Sequence, residues 1–449
     1  MTLPPKPPSR APRVSLWRYG RLFRQDILSA QPERLYRAWM AEFRTPFFRS
    51  YLANDPTMVR TVLKERPQDF PKSDRVGEGL QPLLGKSVFL TNGEIWERQR
   101  RIIDPAFEGG RLRDSFTAVD QAAAATATRL ENQIGQTVEV EAEASHAAAD
   151  AIFRTLFSIP IENHAAALTY TAFRRYQRSQ PILNLAAFLP LPRWMPRGFK
   201  RATRQSAAEI RALIHEMTDR RQTEIAQGRA PDDLATKIMT TPDPKTGETF
   251  DVDEMVDQVA IFFLAGHETS ASSLAWALYL MALYPDWQEK VAKEAQLLRN
   301  DFSSLSSLRV TRDVFRETLR LYPPVPMMVR ETTQPEVFRN REVPTKAQIV
   351  ISPWHVHRHT RLWENPDAFD PDRWQTEAGR QSARDAYIPF SAGRRVCPGA
   401  GFAMMEGVLM LAHILRTVRV ELSNDPPPVP VAHLTVRAQN GIRLRIVRR

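Results

Sequence analysis

A single cysteine, Cys397, serves all 449 residues of this chain. That count constrains the fold more than any other feature. No intramolecular disulfide can staple the chain, and no all-cysteine zinc or iron–sulfur site can form. Stability has to come from burial, and a hydrophobic content of 43% over this length is enough for a large core. Length by itself suggests roughly two or three domains, although one continuous helical fold absorbs as many residues. A lone cysteine is ordinarily a small buried hydrophobe. The loop around it decides whether it is more.

Lysine and arginine total 62 against 51 acidic residues, a formal net charge of +11. Such a balance suits nucleic acid, anionic lipid or an acidic protein partner. The arginines are spread along the chain without a nucleic-acid motif or a dense basic run, so a solvated basic face is expected and no nucleic-acid partner. The N-terminus (MTLPPKPPSRAPRVSLWRYG) has no apolar stretch fit for a signal peptide. Pro4, Pro5, Pro7, Pro8 and Pro12 favour an extended, disordered lead. No segment offers the roughly 20 clean apolar residues of a membrane span. Met255 to Tyr284 comes closest, but His267, Glu268, Thr269 and several serines interrupt it, so a buried helix is expected. The reading is a cytoplasmic chain without a transmembrane anchor.

No internal repeat or linker stands out. The organisation read is a proline-rich lead with a first helix over 1–34, then one catalytic domain over 35–449. Residues 46–53 read as a hairpin segment, and Asp55-Pro56 as a helix start with Asp as N-cap and proline in the first turn. Helical patterns run over 94–107, 115–133, 141–158, 202–228, 252–284 and 400–417. Short strands and turns occupy 327–395, and closing strands 429–448. The proline-rich piece 188–197 reads as a loop between helices. The fold class is mainly α with a minor β region.

Cys397 sits in FSAGRRVCPG, Phe390 to Gly399. Glycine lets a backbone turn tightly and approach a flat ligand, and proline stiffens the turn. Free backbone N–H groups can point at the sulfur, and a helix beginning near Ala400 adds the positive end of its dipole. Both effects lower a thiol pKa, as metal ligation requires. Phe390, Gly393, Arg395, Cys397 and Gly399 meet every fixed position of F-x-x-G-x-R-x-C-x-G. On these residues the chain resembles the cytochrome P450 family. The resemblance, over about residues 35–445, implies a helix-rich triangular prism enclosing haem b. It makes Cys397 the axial thiolate, packs Phe390 beside it, and pairs Arg395 with a haem propionate.

Other stretches match the same family in chain order. Glu317 and Arg320 lie side by side at helical spacing in FRETLRLYPP. With Arg373 of FDPDRW the resemblance implies a buried structural network. Trp96 and Arg100 share a helical face, and the family pattern has both donate to a propionate, with Arg330 a weaker candidate. Ala265 to Ser270 reads AGHETS, where Gly266 and the Thr269 hydroxyl can loosen the helical ladder. The resemblance places Ala265 and Gly266 against the haem face and makes Glu268 and Thr269 the acid–alcohol pair that handles protons for O–O cleavage. His355, His357 and His359 alternate, so on a strand they would share a face, the arrangement of a non-haem metal triad, against which local packing or a propionate is the favoured reading.

The implied reaction inserts one atom of O2 into an unactivated C–H or double bond of a hydrophobic substrate, with electrons from a separate acidic ferredoxin and its NAD(P)H-dependent reductase. Arg98, Arg101 and Arg394 are the candidate docking cations. The implied pocket segments fall near 77–90, 171–190, 258–266, 325–329 and 436–440. They carry Leu80, Leu83, Leu84, Val88, Phe89, Phe262, Phe263, Met327 and Met328, an apolar lining that suits a fatty acid or a terpenoid. The rival readings are a haem-thiolate peroxygenase, which would lack the acid–alcohol pair, and a non-catalytic haem sensor, which would carry an output domain.

Overall fold

Stretches that read as helix in the sequence form helices, with small shifts at their ends. The computed structural model describes residues 2–44, 49–74, 77, 79–108, 110–179, 201–432 and 434–449. The loop expected at 188–197, and part of the pocket segment 171–190, lie outside the described residues. The longer helices are α1 (Leu16–Gln25), α2 (Gly93–Ile103), α3 (Phe116–Glu131), α4 (Val140–Phe157), α5 (His164–Ser179), α6 (Arg201–Ala226), α7 (Val252–Leu283), α8 (Pro285–Ala295), α9 (Arg309–Leu321), α10 (Glu377–Ala386) and α11 (Ala400–Thr417). The strands are short. They are β1 (Met40–Arg44), β2 (Arg49–Ala53), β3 (Thr137–Glu139), β4 (Met328–Glu331), β5 (Glu336–Phe338), β6 (Arg341–Val343), β7 (Gln348–Ile351), β8 (Val418–Leu422), β9 (Pro430–Ala432), β10 (Val436–Ala438) and β11 (Arg443–Arg448).

The main sheet has the order β1-β2-β7-β4, with β2 and β7 parallel and the other neighbours antiparallel. A three-stranded sheet β3-β11-β8 and the hairpins β5–β6 and β9–β10 complete the β part. Of the hairpin segment expected at 46–53, residues 46–48 lie outside the described residues, 49–53 form β2, and its antiparallel partner begins at Met40.

Helix α7 organises the molecule. Asp251 caps it: its carboxylate accepts from the Glu254 amide at 2.7 Å, and Glu254 accepts from the Asp251 amide at 3.2 Å. The N-terminal half of α7, Met255 to Leu264, belongs to one apolar core with Leu80, Trp96, Phe153 and Phe173. Its C-terminal half, from Leu274 on, belongs to a second core with α3, α9 and α11. The polar segment AGHETS therefore lies at the seam between two cores. A third core sits under the main sheet, around Tyr51, Ile349, Trp363 and Trp374.

The proline-rich lead is extended but docked, not disordered. Pro4 and Pro7 are buried, the Tyr322 hydroxyl donates to the Pro5 carbonyl at 2.8 Å, and Lys6 lies 3.2 Å from Glu33 and 3.3 Å from Asp367. Prolines carry apolar surface without an amide donor, so they can be covered without stranding an N–H. Among the described residues no helix is long and apolar enough to cross a membrane.

Candidate active site

The cysteine loop is held from several sides. The Cys397 amide donates to the Phe390 carbonyl at 2.9 Å, and Arg100 donates to the Val396 carbonyl at 2.9 Å. Gly393 has φ +68°, and a Cβ there would meet the Leu63 carbonyl oxygen at 2.0 Å, so both backbone conformation and space demand glycine. Gly399 caps α11 with an ordinary φ of −82°; a Cβ there would sit 3.9 Å from the Phe107 ring and 4.0 Å from the Cys397 sulfur. The Cys397 side chain is solvent-accessible, yet it lies deep enough for burial to push its thiol up. The Gly399 amide and Arg100 pull the other way without prevailing. The lowered thiol pKa expected from the loop is therefore not supplied by protein groups alone. A cation bound at the sulfur would supply it.

Cations gather around Trp96. The Arg395 guanidinium lies 4.2 Å from the centre of the Trp96 ring, and that of Arg100 5.7 Å. Arg395 donates to the Asn92 side chain at 2.9 Å and to the Thr91 carbonyl at 3.3 Å. Arg330 comes from β4, where Lys72 forms an isolated backbone bridge with it. Lys72, absent from the sequence reading, donates to the Val88 and Phe89 carbonyls at 3.2 and 2.6 Å. Burial lowers Arg330 and Arg395 to about 10, with the neighbouring arginines adding to the effect on Arg395. Burial and the charges of Arg395, Arg330 and Arg100 hold Lys72 well below the usual lysine range. Among the described residues no carboxylate bonds Lys72, Arg330 or Arg395, whereas Arg100 lies 2.6 Å from Asp104. Such a set of buried, mutually repelling cations suits an anionic ligand with more than one carboxylate.

The middle of α7 is regular rather than loosened. Thr269 does donate to the Ala265 carbonyl, at 2.6 Å, but the helix runs unbroken. Gly266 serves packing: a Cβ would meet Ile152 of α4 at 2.4 Å. Ala265 is exposed within a helix whose neighbours Phe263, Leu264, His267 and Glu268 are buried, which marks an accessible face. Glu268 Oε1 lies 3.4 Å from Arg437, and Thr435 donates to Oε2 at 3.4 Å, both from the chain around β10. His267 turns the other way, 2.8 Å from Ser145 of α4, and burial lowers it to about 3, so it is neutral. Ser270 donates to Glu406 of α11, a buried carboxyl that burial raises to about 8. Phe107, before the cysteine loop in space, meets Phe262 of α7 edge-on at 5.7 Å. Phe107 thus packs between α7 and the cysteine loop, 3.9 Å from where a Cβ at Gly399 would sit.

Glu317, Arg320 and Arg373 come together. Arg320 grips Glu317 bidentately at 2.8 and 2.9 Å, and Arg373 donates to it at 3.0 Å, all three buried. Arg320 also donates to the His357, Pro366 and Ala368 carbonyls. The histidine triad is not formed. Ser352 caps a helical turn over Pro353–Val356, which breaks the strand alternation. His355 meets Ser352, His357 accepts from the Ile388 amide, and His359 accepts from the Arg361 amide. Among the described residues no group of side chains could hold a metal ion in the manner of that triad.

The expected pocket residues divide. Leu83 and Leu84 have no accessible surface, and Leu80, Val88 and Phe263 are buried in the core beside α7. Met327 packs on the α7–α11 core and Met328 on the sheet core. Phe262 is partly buried, and Phe89 is 40% exposed under the Lys72 ammonium. The docking cations are also engaged. Arg98 pairs with Glu254 at 2.6 Å, Arg101 with Asp243 at 2.6 Å and Arg394 with Glu97 at 3.2 Å. These three do not form a bare basic patch, because each charge is matched within the chain.

A family model described as Cytochrome P450 matches residues 28–445. The chain is 32% identical to cyclooctat-9-en-7-ol 5-monooxygenase of Streptomyces melanosporofaciens, over 87% of this chain and 83% of that protein. It is 29% identical to cytochrome P450 4A11 of Homo sapiens, over 99% and 88%, and 28% identical to cytokinin hydroxylase of Arabidopsis thaliana, over 86% and 76%. Among solved structures, the haem domain of cytochrome P450DA matches with a TM-score of 0.84 and 25% identity, over 100% of this chain and 98% of that one.

Proposed function

The chain belongs to the cytochrome P450 family, and from that premise we propose which of its residues carry the monooxygenase reaction and on what substrate. Its cofactor is haem b. When bound, the haem supplies the activation of O2 and the insertion of one oxygen atom into the substrate. Cys397 is the sulfur ligand, kept in register by the Phe390 and Val396 carbonyl contacts. Lys72, Trp96, Arg100, Arg330 and Arg395 hold the two propionates. The observation that carries this reading is the cluster beside the only cysteine in which Lys72, Arg330 and Arg395 have no carboxylate partner among the described residues. Those residues fit the group in charge and in donor chemistry.

On α7, the Thr269 proton is engaged by the Ala265 carbonyl, which leaves the hydroxyl oxygen as an acceptor. Glu268 moves a proton toward that hydroxyl, while Arg437 and Thr435 hold its carboxylate. The presence of this pair favours monooxygenation over the peroxygenase reading. The substrate is apolar, of the fatty acid or terpenoid class: Phe262 and Phe89 offer ring surface, and one relative is named for oxidising cyclooctat-9-en-7-ol, an unsaturated alcohol. Electrons come from a ferredoxin-type protein and its NAD(P)H-dependent reductase. Arg113, exposed next to the Leu112 that packs on Gly401, is a better docking cation than Arg98 or Arg101.

The test is the visible spectrum of the reduced protein under carbon monoxide. A strongly red-shifted Soret band that Cys397→Ala abolishes is the expected outcome. An unshifted band, unaltered in that variant, would overturn the ligand assignment. Weaker haem retention in Arg395→Ala and Arg330→Ala tests the propionate assignment separately.

A further inference from the structure

We infer that α1 and the chain entering it form a docking surface for anionic phospholipid. Residues 2–25 contain Lys6, Arg10, Arg13, Arg18, Arg21 and Arg24, and no aspartate or glutamate. Two of these cations are used inward. Lys6 lies between Glu33 and Asp367, and the Arg10 guanidinium donates to the Ala30 carbonyl at 2.6 Å. The other four, Arg13, Arg18, Arg21 and Arg24, are exposed and have no carboxylate partner among the described residues. The nearby acids are already satisfied. Asp26, which ends α1, is buried and accepts from the Leu28, Ser29 and Ala432 amides; Glu33 accepts from Lys6 and Ser9.

Trp17 stands within this face. It is 74% exposed, more than any other large hydrophobic side chain described. At about 100° per residue, Trp17 falls between Arg24 and Arg21 on the outward arc of α1. The inward arc is spent on the body: the Tyr19 ring lies 5.5 Å from Phe23 and 4.4 Å from Phe43 of β1. Trp17 lies outside that inward arc, with most of its surface exposed. Lone exposed hydrophobics are common. A tryptophan set among unpaired arginines, with no acid to answer them, is the composition of an interfacial anchor. Indole rings favour the headgroup level of a bilayer, and arginines are drawn to an anionic leaflet. An acidic protein or a nucleic acid would use the arginines but has no need of the indole.

The surface also connects to the proposed site. Ile27 donates to the Ala432 carbonyl at 3.1 Å, and Ala432 of β9 is paired with Val436 of β10, whose neighbour Arg437 meets Glu268. Docking by α1 brings that hairpin toward the phase in which an apolar substrate dissolves.

The test is flotation of the haem-loaded protein with vesicles of phosphatidylcholine, with and without phosphatidylglycerol. Binding only to the anionic vesicles, and its loss at high salt, is expected. Each neutralised arginine should cost about fivefold in partitioning, so R18E/R21E/R24E should lower it at least about a hundredfold. Trp17→Ala should lower it severalfold at unchanged charge. Equal binding to both vesicle types, no binding, or an unaffected triple variant overturns the inference. So does arginine-dependent binding that Trp17→Ala leaves intact, which points to an acidic macromolecule instead. The carbon monoxide spectrum of each variant reports haem ligation independently. A normal spectrum with failed flotation removes this surface alone, and an unshifted one removes the Cys397 assignment alone.

Discussion

Glu406 shows what a single buried carboxyl contributes. Ser270 donates to one oxygen, and the other has no hydrogen-bond partner among the described residues. Burial raises its pKa from the ordinary carboxyl value of 4.5 to about 8, so the protonated form predominates at neutral pH. The folded protein then binds a proton that the unfolded chain releases. Stability from this group is fully present below about pH 4.5 and falls until about pH 8. Glu406→Gln keeps the shape and removes the titration. Its melting temperature should decline less than that of the parent over that window, and parallel declines in the two proteins would contradict the assignment. Glu268→Gln and Thr269→Ala probe the other pair. Each should lower turnover by about a hundredfold or more with an unchanged carbon monoxide spectrum, measured as product formed per haem.

Two glycines of the cysteine loop behave differently at the level of the element. Gly393 holds a left-handed turn against the Leu63 carbonyl, while Gly399 has an ordinary φ and room for a methyl group. Gly393→Ala should cost at least about 1–2 kcal/mol for the backbone alone, with further loss from the clash and poor haem retention. Gly399→Ala should melt within about 1 kcal/mol of the parent. Equal effects would show that both are required for one reason. Element identity was legible wherever apolar spacing was sustained: Phe116–Glu131, Val140–Phe157 and Val252–Leu283 match their sequence ranges within two residues. The three histidines make local contacts, as the favoured reading had it, and their alternation is not a strand signal because period two marks a strand only where nothing caps a helix. Ser352 followed by Pro353 was such a cap, and it lay in plain text.

Across the whole molecule, the Glu317 network ties α9 to the loop that carries Pro366, Ala368 and Arg373. Removing the carboxylate leaves two buried guanidiniums without a counter-ion. Glu317→Ala should therefore cost about 3–5 kcal/mol, read by urea unfolding of the haem-loaded protein, with haem loss preceding any specific effect on turnover. A cost near zero would mean that the arginines are satisfied by the carbonyls alone. Net charge is likewise a property of the whole. The +11 excess does not reside in Arg98, Arg101 and Arg394, each paired within the chain. Part of it stands unanswered on α1.

The sequence by itself determined the family, through Glu317, Arg320, Arg373 and the Phe390–Gly399 loop in that order, and it determined most helices, because spacing and caps are local. Tertiary structure alone decided which charges are answered. Ser270 and Glu406 are 136 residues apart, Thr435 and Glu268 167. Lys72 joined the cluster at Trp96, and Leu84 left the pocket for the core, for the same reason. Burial and electrostatic neighbours are set by which distant elements pack together, and no local pattern encodes that.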